Sequence, residues 1–181
     1  MIDRSQWNTQ YNTLNASIII IRKKTCSMKI KTNRYDLFVE ACCLLCLIGV
    51  LVYLVIAWQH IPQKVPGHYN ALGEIDKMTS KGSLIALHIT SWIMYIGLYV
   101  IAKFPQIWNT GVNVTEKNKE KVYRILKSML GTVKLLTVVA FAYLTVNSAM
   151  AKPLSVLFLP IFLSLMFGSL IFFIVKLVTA K

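Results

Sequence analysis

Long runs of apolar residues, separated by short polar segments, dominate the chain from residue 37 onward. A helix needs about 20 predominantly apolar residues to cross the hydrocarbon core of a bilayer. Four runs are close to that length or exceed it, at residues 37–58, 84–102, about 129–146 and 154–175. Inside lipid every backbone polar group must be paired, which favours helices over isolated strands. The pattern therefore predicts an all-α membrane protein with four transmembrane helices.

The segment before the first span has a different pattern. Residues 1–36 are polar and basic, apart from a short apolar stretch at residues 18–21 that cannot span a bilayer. We expect this segment to be disordered, and residues 37–181 to form one integral membrane domain. Met28 is the first residue of the basic stretch before the first span, and we hypothesise that Met28 is the true translation start.

A second helical pattern precedes the third span. Apolar residues recur at helical spacing from Val122 to Val133, charged residues occupy the other face, and Thr115 is positioned to cap the helix. This predicts an amphipathic helix on the inner membrane surface that runs into the third span. In the fourth span, Pro160 predicts a kink. Four small residues are expected to let the spans approach closely: Gly49, Gly97, Gly131 and Gly168.

Composition supports the membrane assignment. Of the 181 residues, 56% are hydrophobic and only 15% are charged, with a mean hydropathy of +0.58. A soluble domain carries about 45–50% apolar and about 25% charged residues, which argues against a soluble globular enzyme. The formal net charge of +13 would indicate nucleic acid in a soluble protein. Here the basic residues flank apolar runs, so the predicted partner is the lipid bilayer rather than nucleic acid.

The distribution of Lys and Arg predicts an orientation, because cytoplasmic loops are enriched in both. Residues 1–36, the 103–128 connection and the C-terminal end contain seven, six and two of them. The 59–83 loop contains three and the 147–153 turn one. We therefore expect a multi-pass plasma-membrane protein with cytoplasmic N and C termini and an outward-facing 59–83 loop.

This outer loop has the most unusual composition in the chain. Its prolines favour extended or turn geometry, and its Gly and Asn residues suit tight turns with positive φ. Several polar side chains then cluster within a few residues, so we expect an ordered loop. The candidate functional residues here are Pro62, Pro66, His68, Tyr69, Asn70, Gly73, Glu74, Asp76 and Lys81.

Two interpretations of the polar cluster remain open. His68, Glu74 and Asp76 are competent ligands for zinc or a similar ion. Alternatively, His68 and Asn70 hydrogen-bond the loop and close a cap over the bundle. The second interpretation is favoured, because a metal site needs three or four ligands and few candidates are close in sequence.

Two charged residues lie inside predicted spans, where charges are functional candidates by default. Glu40 on the first span and Lys134 on the third lie at similar depth, and we hypothesise that they form an ion pair. The alternative is that each extends separately to the headgroups. Apolar surroundings predict a packing role for the cysteines at positions 42, 43 and 46. The aromatic stripe from His88 to Tyr99 is likewise assigned to helix packing.

The pattern Ile61-Pro-x-x-x-Pro-x-His-Tyr-Asn-x-x-Gly-Glu-x-Asp76, followed by Ser80-Lys81, resembles an uncharacterised bacterial membrane-domain family. That family also forms the N-terminal part of SdpI-type immunity proteins. The stretches Phe104–Asn109 and Val114–Asn118 are similar to members of the same family. The resemblance implies a bacterial inner-membrane location and a protein that senses or neutralises an external factor.

These observations lead to one preferred function and one alternative. No nucleotide-binding loop, dinucleotide fingerprint, nucleophile elbow or zinc-hydrolase helix occurs in the sequence, so neither enzymatic activity nor a cofactor is predicted. The preferred function is non-enzymatic sensing or neutralisation of an external peptide or protein by the outer loop. The alternative is a small transport component or a subunit of a membrane complex. Four spans enclose little interior, which leaves room for a homo-oligomer.

Overall fold

The structure, a computed structural model, describes residues 30–180. Within these residues, four helices are long and apolar enough to cross a membrane, which confirms the predicted four-span architecture. They are α1 (Arg34–Ala57), α2 (Ser83–Lys103), α3 (Lys119–Ala149) and α4 (Phe158–Val178). Residues 1–29 of the segment predicted to be disordered, which include Met28, lie outside the described residues, whereas its residues 34–36 form the first turn of α1.

The first helix begins slightly before the predicted boundary at residue 37, because its start is capped by polar side chains. Asn33 Oδ1 accepts a hydrogen bond from the Asp36 backbone N–H at 2.8 Å, and Asp36 Oδ2 accepts from the Asn33 N–H at 3.1 Å. This reciprocal pair is a capping box, which satisfies two backbone donors that a helix start leaves free.

The predicted amphipathic segment and the third span form one uninterrupted helix, α3, of 31 residues. It begins at Lys119, slightly later than the sequence predicts. Thr115 and Asn118 exchange hydrogen bonds just before it: Asn118 Oδ1 accepts from the Thr115 N–H at 2.8 Å. A short 3₁₀ helix at Pro105–Ile107 lies in the connection from α2 to α3.

The prediction of a kink at Pro160 is wrong. Helix α4 begins at Phe158, so Pro160 lies in its first turn. Backbone N–H groups in the first turn have no partner within the helix, and a proline there removes no helical hydrogen bond.

Helix α3 is the centre of the bundle and packs against α1, α2 and α4, whereas α4 packs mainly against α3. Chain direction alternates, so α1 and α3 begin at the end where α2 and α4 finish. We call this the basic end. At the opposite end, named the hairpin end, residues 58–82 connect α1 to α2 and residues 150–157 connect α3 to α4.

The core is divided into clusters along the bundle axis. At the hairpin end, Leu54, Val65 and Leu84 are buried together. In the middle, Cys43 and Leu47 of α1 pack with Val138 of α3. At the basic end, the core is formed by residues of α3 and the end of α4: Val122, Leu126, Leu177 and Ala180.

The loop between α1 and α2 is an antiparallel β-hairpin, with β1 at Lys64–Tyr69 and β2 at Ile75–Ser80. This strand pairing differs from the purely helical architecture that the sequence predicts. The register shifts between Pro66 and His68, around Gly67. A Cβ on Gly67 would lie 2.7 Å from Thr79 Cγ2, so the irregular pairing depends on glycine there. Val65 is fully buried and anchors the hairpin in the core.

The close helix approach expected at four glycines occurs at one of them. A Cβ on Gly131 would lie 3.7 Å from Val39 Cγ1, an ordinary packing distance between α3 and α1. A Cβ on Gly49, Gly97 or Gly168 would meet no atom within 4 Å in the described part of the chain. These three glycines face away from the neighbouring helices of the same chain.

Candidate functional site

The hairpin turn is organised by the side chain of Asn70. Its Oδ1 accepts hydrogen bonds from the backbone N–H groups of Leu72 and Glu74, at 2.9 and 3.0 Å. Its Nδ2 donates to Glu74 Oε2 at 2.7 Å. Asn is favoured in such turns because its short amide can replace backbone partners. Asn70 and Glu74 therefore hold the turn in shape.

His68 and Asp76 form a second polar pair, across the two strands. His68 Nδ1 lies 2.7 Å from Asp76 Oδ1 and 2.9 Å from Oδ2. Both side chains are exposed, at 66% and 44%. Glu74 bonds Asn70 instead, so the structure brings two of the three candidate metal ligands into contact. Within residues 30–180, no group of three or more His, Cys, Asp or Glu side chains is arranged to hold a metal ion.

The tip of the hairpin is attached to the loop before α4. The Leu154 backbone N–H donates to the Gly73 carbonyl oxygen at 2.8 Å, and the Tyr69 hydroxyl donates to the Lys152 carbonyl oxygen at 3.3 Å. Gly73 has φ +83°, and a Cβ there would lie 2.6 Å from Leu154 O. Burial raises the pKa of the Tyr69 hydroxyl, and neighbouring polar side chains of α3 offset part of this rise.

The base of the hairpin is attached to α3 and to the end of α1. The Ser148 hydroxyl donates to the Pro66 carbonyl oxygen in a buried contact. The Lys81 ammonium lies 4.9 Å from the centroid of the Trp58 ring and donates to the Trp58 carbonyl oxygen at 3.4 Å. Pro62 lies in the exposed segment before β1. Most of the predicted loop residues thus serve turn formation or docking, whereas His68 and Asp76 form an exposed pair and Pro62 is exposed.

A cleft of about 510 Å³ opens between the hairpin and the α3–α4 helix pair. One wall carries polar groups of the hairpin, including His68 and Asn70, and the other carries Leu144, Phe158 and Leu159. An apolar groove of about 400 Å³ runs between α3 and α4 from the same place. Ser155 and Phe158 line both, so the polar-walled cleft continues into the apolar groove.

The structure also brings together the two charged residues of the spans. The Lys134 ammonium donates to Glu40 Oε1, and only 3% of Lys134 is exposed. The Tyr95 hydroxyl donates to Glu40 Oε2 at 2.9 Å. The Lys134 ammonium also lies 5.1 Å from the centroid of the Tyr95 ring. A desolvated cation is stabilised both by a carboxylate and by an aromatic face.

A further partner of this pair is not evident from the sequence. Tyr95 belongs to the stripe assigned to packing, and nothing in the spacing of α2 identifies Glu40 as the residue on α1 that it meets. Asp36 was also missed: its carboxylate pairs with Arg124 at 3.2 Å and Lys127 at 2.8 Å. Its position four residues before Glu40, on the same helix face, is the signal that could have identified both carboxylates as partners of α3.

The aromatic stripe on α2 forms a continuous series of edge and stacked contacts. Trp92 Nε1 donates to His88 Nε2 at 3.0 Å, and the Trp92 ring meets Tyr95 edge-on. The three cysteines on α1 are free thiols within or beside the core. Cys26 lies outside the described residues.

Residues 44–91 match a protein family described as a domain of unknown function, DUF1648. The match spans the second half of α1, the hairpin and the first half of α2, and includes all nine candidate residues of the loop. The predicted resemblance to an uncharacterised domain family is thereby confirmed, whereas the link to immunity proteins stays a prediction. No curated protein and no solved structure matches the chain.

Proposed function

We propose that this multi-pass membrane protein recognises an amphipathic peptide outside the cell, at its hairpin end, without catalysing a reaction. The observation that supports this function is the cleft between the hairpin and α4, together with the groove that continues from it. A resemblance to a domain family that also forms the N-terminal part of immunity proteins, predicted from the loop motif, favours a role in sensing or neutralising such a peptide.

The two walls of the cleft match the two faces of an amphipathic segment. His68 and Asn70 offer polar atoms on the hairpin side. Phe158 and Leu159 offer apolar surface on the helix side. A peptide that inserts here removes apolar surface from water, and each Å² buried contributes about 25 cal/mol of favourable free energy. Its polar groups keep hydrogen-bond partners on the hairpin side.

One feature supports an outward-facing hairpin end. The chain enters α1 and leaves α4 at the basic end of the bundle. Within residues 30–180, this end carries more Lys and Arg residues than the hairpin end, which is typical of the cytoplasmic side. In this orientation the cleft opens at the outer edge of the membrane, where a secreted peptide arrives.

Photo-cross-linking in living bacterial cells tests the function. The variant Leu159→p-benzoylphenylalanine places the probe in the cleft, and Val175→p-benzoylphenylalanine places it on an exposed position of the same helix near the basic end. Cells are irradiated in stationary phase, when secreted peptides have accumulated in the medium. We expect a peptide-sized adduct, detected by the mass of the purified protein, from position 159 and not from position 175. Lipid adducts alone at both positions would contradict the proposal.

A second candidate, a subunit of a membrane complex, is favoured by α4. No residue of α4 before Leu177 is buried within the chain, and Gly168 faces open space. If another helix packs there, Gly168→Leu will dissociate the complex on native gels, and Gly97→Leu on α2 serves as the comparison. An unchanged native mass for Gly168→Leu favours lipid as the neighbour of α4.

A further inference from the structure

The basic end of the bundle contains an open cleft of about 490 Å³ beside the first turns of α1. The end of α2 forms its opposite wall, and Pro105 and Lys127 complete it. The charged residues of its lining are Asp36, Glu40, Lys103 and Lys127. The cleft is distinct from the one at the hairpin end, since the whole length of the spans lies between them.

Both carboxylates at this cleft are already neutralised by cations of α3. Asp36 pairs with two of them, Arg124 and Lys127. Glu40 pairs with Lys134 and accepts a further hydrogen bond from Tyr95. Neither carboxylate therefore presents an uncompensated negative charge to the cleft.

The positive charge is in excess. Lys103 lies on the cleft wall, and its ammonium is 4.6 Å from the centroid of the Tyr99 ring. Among the described residues, the ion pairs within 4.0 Å do not include Lys103. Two carboxylates are thus surrounded by four cations, which leaves two positive charges in excess. The cations are Lys103, Arg124, Lys127 and Lys134.

The position of these cations corresponds to one membrane surface. Lys103 is the last residue of α2, and Asp36 lies in the first turn of α1. The ends of membrane-spanning helices lie at the depth of the lipid headgroups, where anionic phosphates concentrate.

We propose that the cleft at the basic end binds the phosphate of an anionic lipid headgroup, with Lys103 and Lys127 as the contacting cations. Each ammonium has three donors. Lys127 uses one on Asp36, and Lys103 faces an aromatic ring, so both retain donors for phosphate oxygens. Charge-assisted hydrogen bonds of this kind are about twice as strong as neutral ones.

Lipid binding to the full chain, purified in a neutral detergent, tests this proposal. Dissociation constants are measured by native mass spectrometry for phosphatidylglycerol and for phosphatidylcholine of the same acyl composition. We expect tighter binding of phosphatidylglycerol, and we expect Lys103→Gln to weaken it about fivefold, the effect of one basic residue at a membrane surface. Lys103→Arg should retain the affinity. Because Lys103 is exposed, its replacement leaves the fold intact.

The matched control is Lys176→Gln. Lys176 also lies in the last turn of a span and also faces an aromatic ring, at 4.8 Å from the centroid of Phe172, but it does not line the cleft. Equal losses in Lys103→Gln and Lys176→Gln would overturn the proposal, as would equal affinity for the two lipids. A competition with inorganic phosphate distinguishes a lipid from a soluble anion. If millimolar phosphate displaces phosphatidylglycerol, the site binds a soluble phosphate rather than a lipid headgroup. If it does not, the site is specific for lipid.

Discussion

The backbone N–H of Leu154 donates to the carbonyl oxygen of Gly73 at 2.8 Å, which joins the tip of the hairpin to the loop that leads into α4. Gly73 is buried and has φ +83°, a backbone conformation that L side chains rarely adopt. The hairpin is therefore fixed at its tip as well as at its base, and the cleft beside it has two rigid walls.

Replacing Gly73 should separate these walls. In Gly73→Ala, left-handed backbone strain and the contact of the new methyl group with Leu154 O lower the free energy of unfolding by about 3 kcal/mol. Gly111→Ala is the matched control, because Gly111 also has a positive φ but a Cβ there meets no atom within 4 Å. The Gly111→Ala variant should lose only about 1 kcal/mol of unfolding free energy. Thermal unfolding in detergent measures both, and equal losses would show that the contact with Leu154 contributes nothing.

Accessibility to a membrane-impermeant thiol reagent should distinguish the two ends of the bundle. With the native cysteines replaced by Ser or Ala, Ser80→Cys at the end of β2 is expected to react on intact cells. Glu116→Cys near the basic end, where the native side chain is 92% exposed, is expected to react only after lysis. The reverse pattern would invert the orientation and move the predicted peptide-binding cleft to the cytoplasmic side.

The Glu40–Lys134 pair should stabilise the membrane domain. Glu40→Gln leaves the buried Lys134 without a counter-charge and is expected to cost about 3 kcal/mol of unfolding free energy, the lower end for a broken buried pair because Glu40 is partly exposed. The charge reversals Glu40→Lys and Lys134→Glu should each reduce expression, and the double variant should restore it. If the double variant expresses no better than either single variant, the two residues are not coupled.

Stability should decrease at alkaline pH through Tyr69. Its pKa is raised above the ordinary value of about 10, so the folded state retains the phenolic proton more tightly than the unfolded state does. The contribution is therefore fully present below about pH 10 and is lost as the pH rises toward the raised pKa. Melting temperatures between neutral and alkaline pH should fall more steeply for the native chain than for Tyr69→Phe. Parallel profiles would contradict this assignment.

The four spans could be predicted because each corresponds to one contiguous apolar run, and the thickness of the bilayer sets the length that such a run needs. The start of α4 near Pro160 was less predictable, since apolar residues continue across the loop that precedes the helix. Apolar composition therefore locates a span but does not fix its first turn.

The hairpin was not predicted as strands, for a reason visible in its residues. Pro66 and Gly67 lie within β1, and β2 carries two charged side chains, so neither strand has high β-propensity. The strands form because Asn70 closes the turn and Val65 enters the core between helices distant in sequence. The contact of Tyr95 with Glu40 and the cations that pair with Asp36 were hidden for a related reason, because helix register is set by packing in three dimensions.

The attachments of the hairpin also impose an order of assembly during synthesis. Its partners on α3 and on the following loop all come later in the chain, and Lys152 follows Tyr69 by 83 residues. At a ribosomal rate of about 5–20 residues per second, those partners emerge about 4 to 17 seconds after the hairpin itself. During that interval the hairpin has its own turn and its contacts with α1, but it lacks its docking surface on α3 and the following loop. Its final position is therefore reached only after the third span has been made, which makes the hairpin a late, long-range closure of the fold.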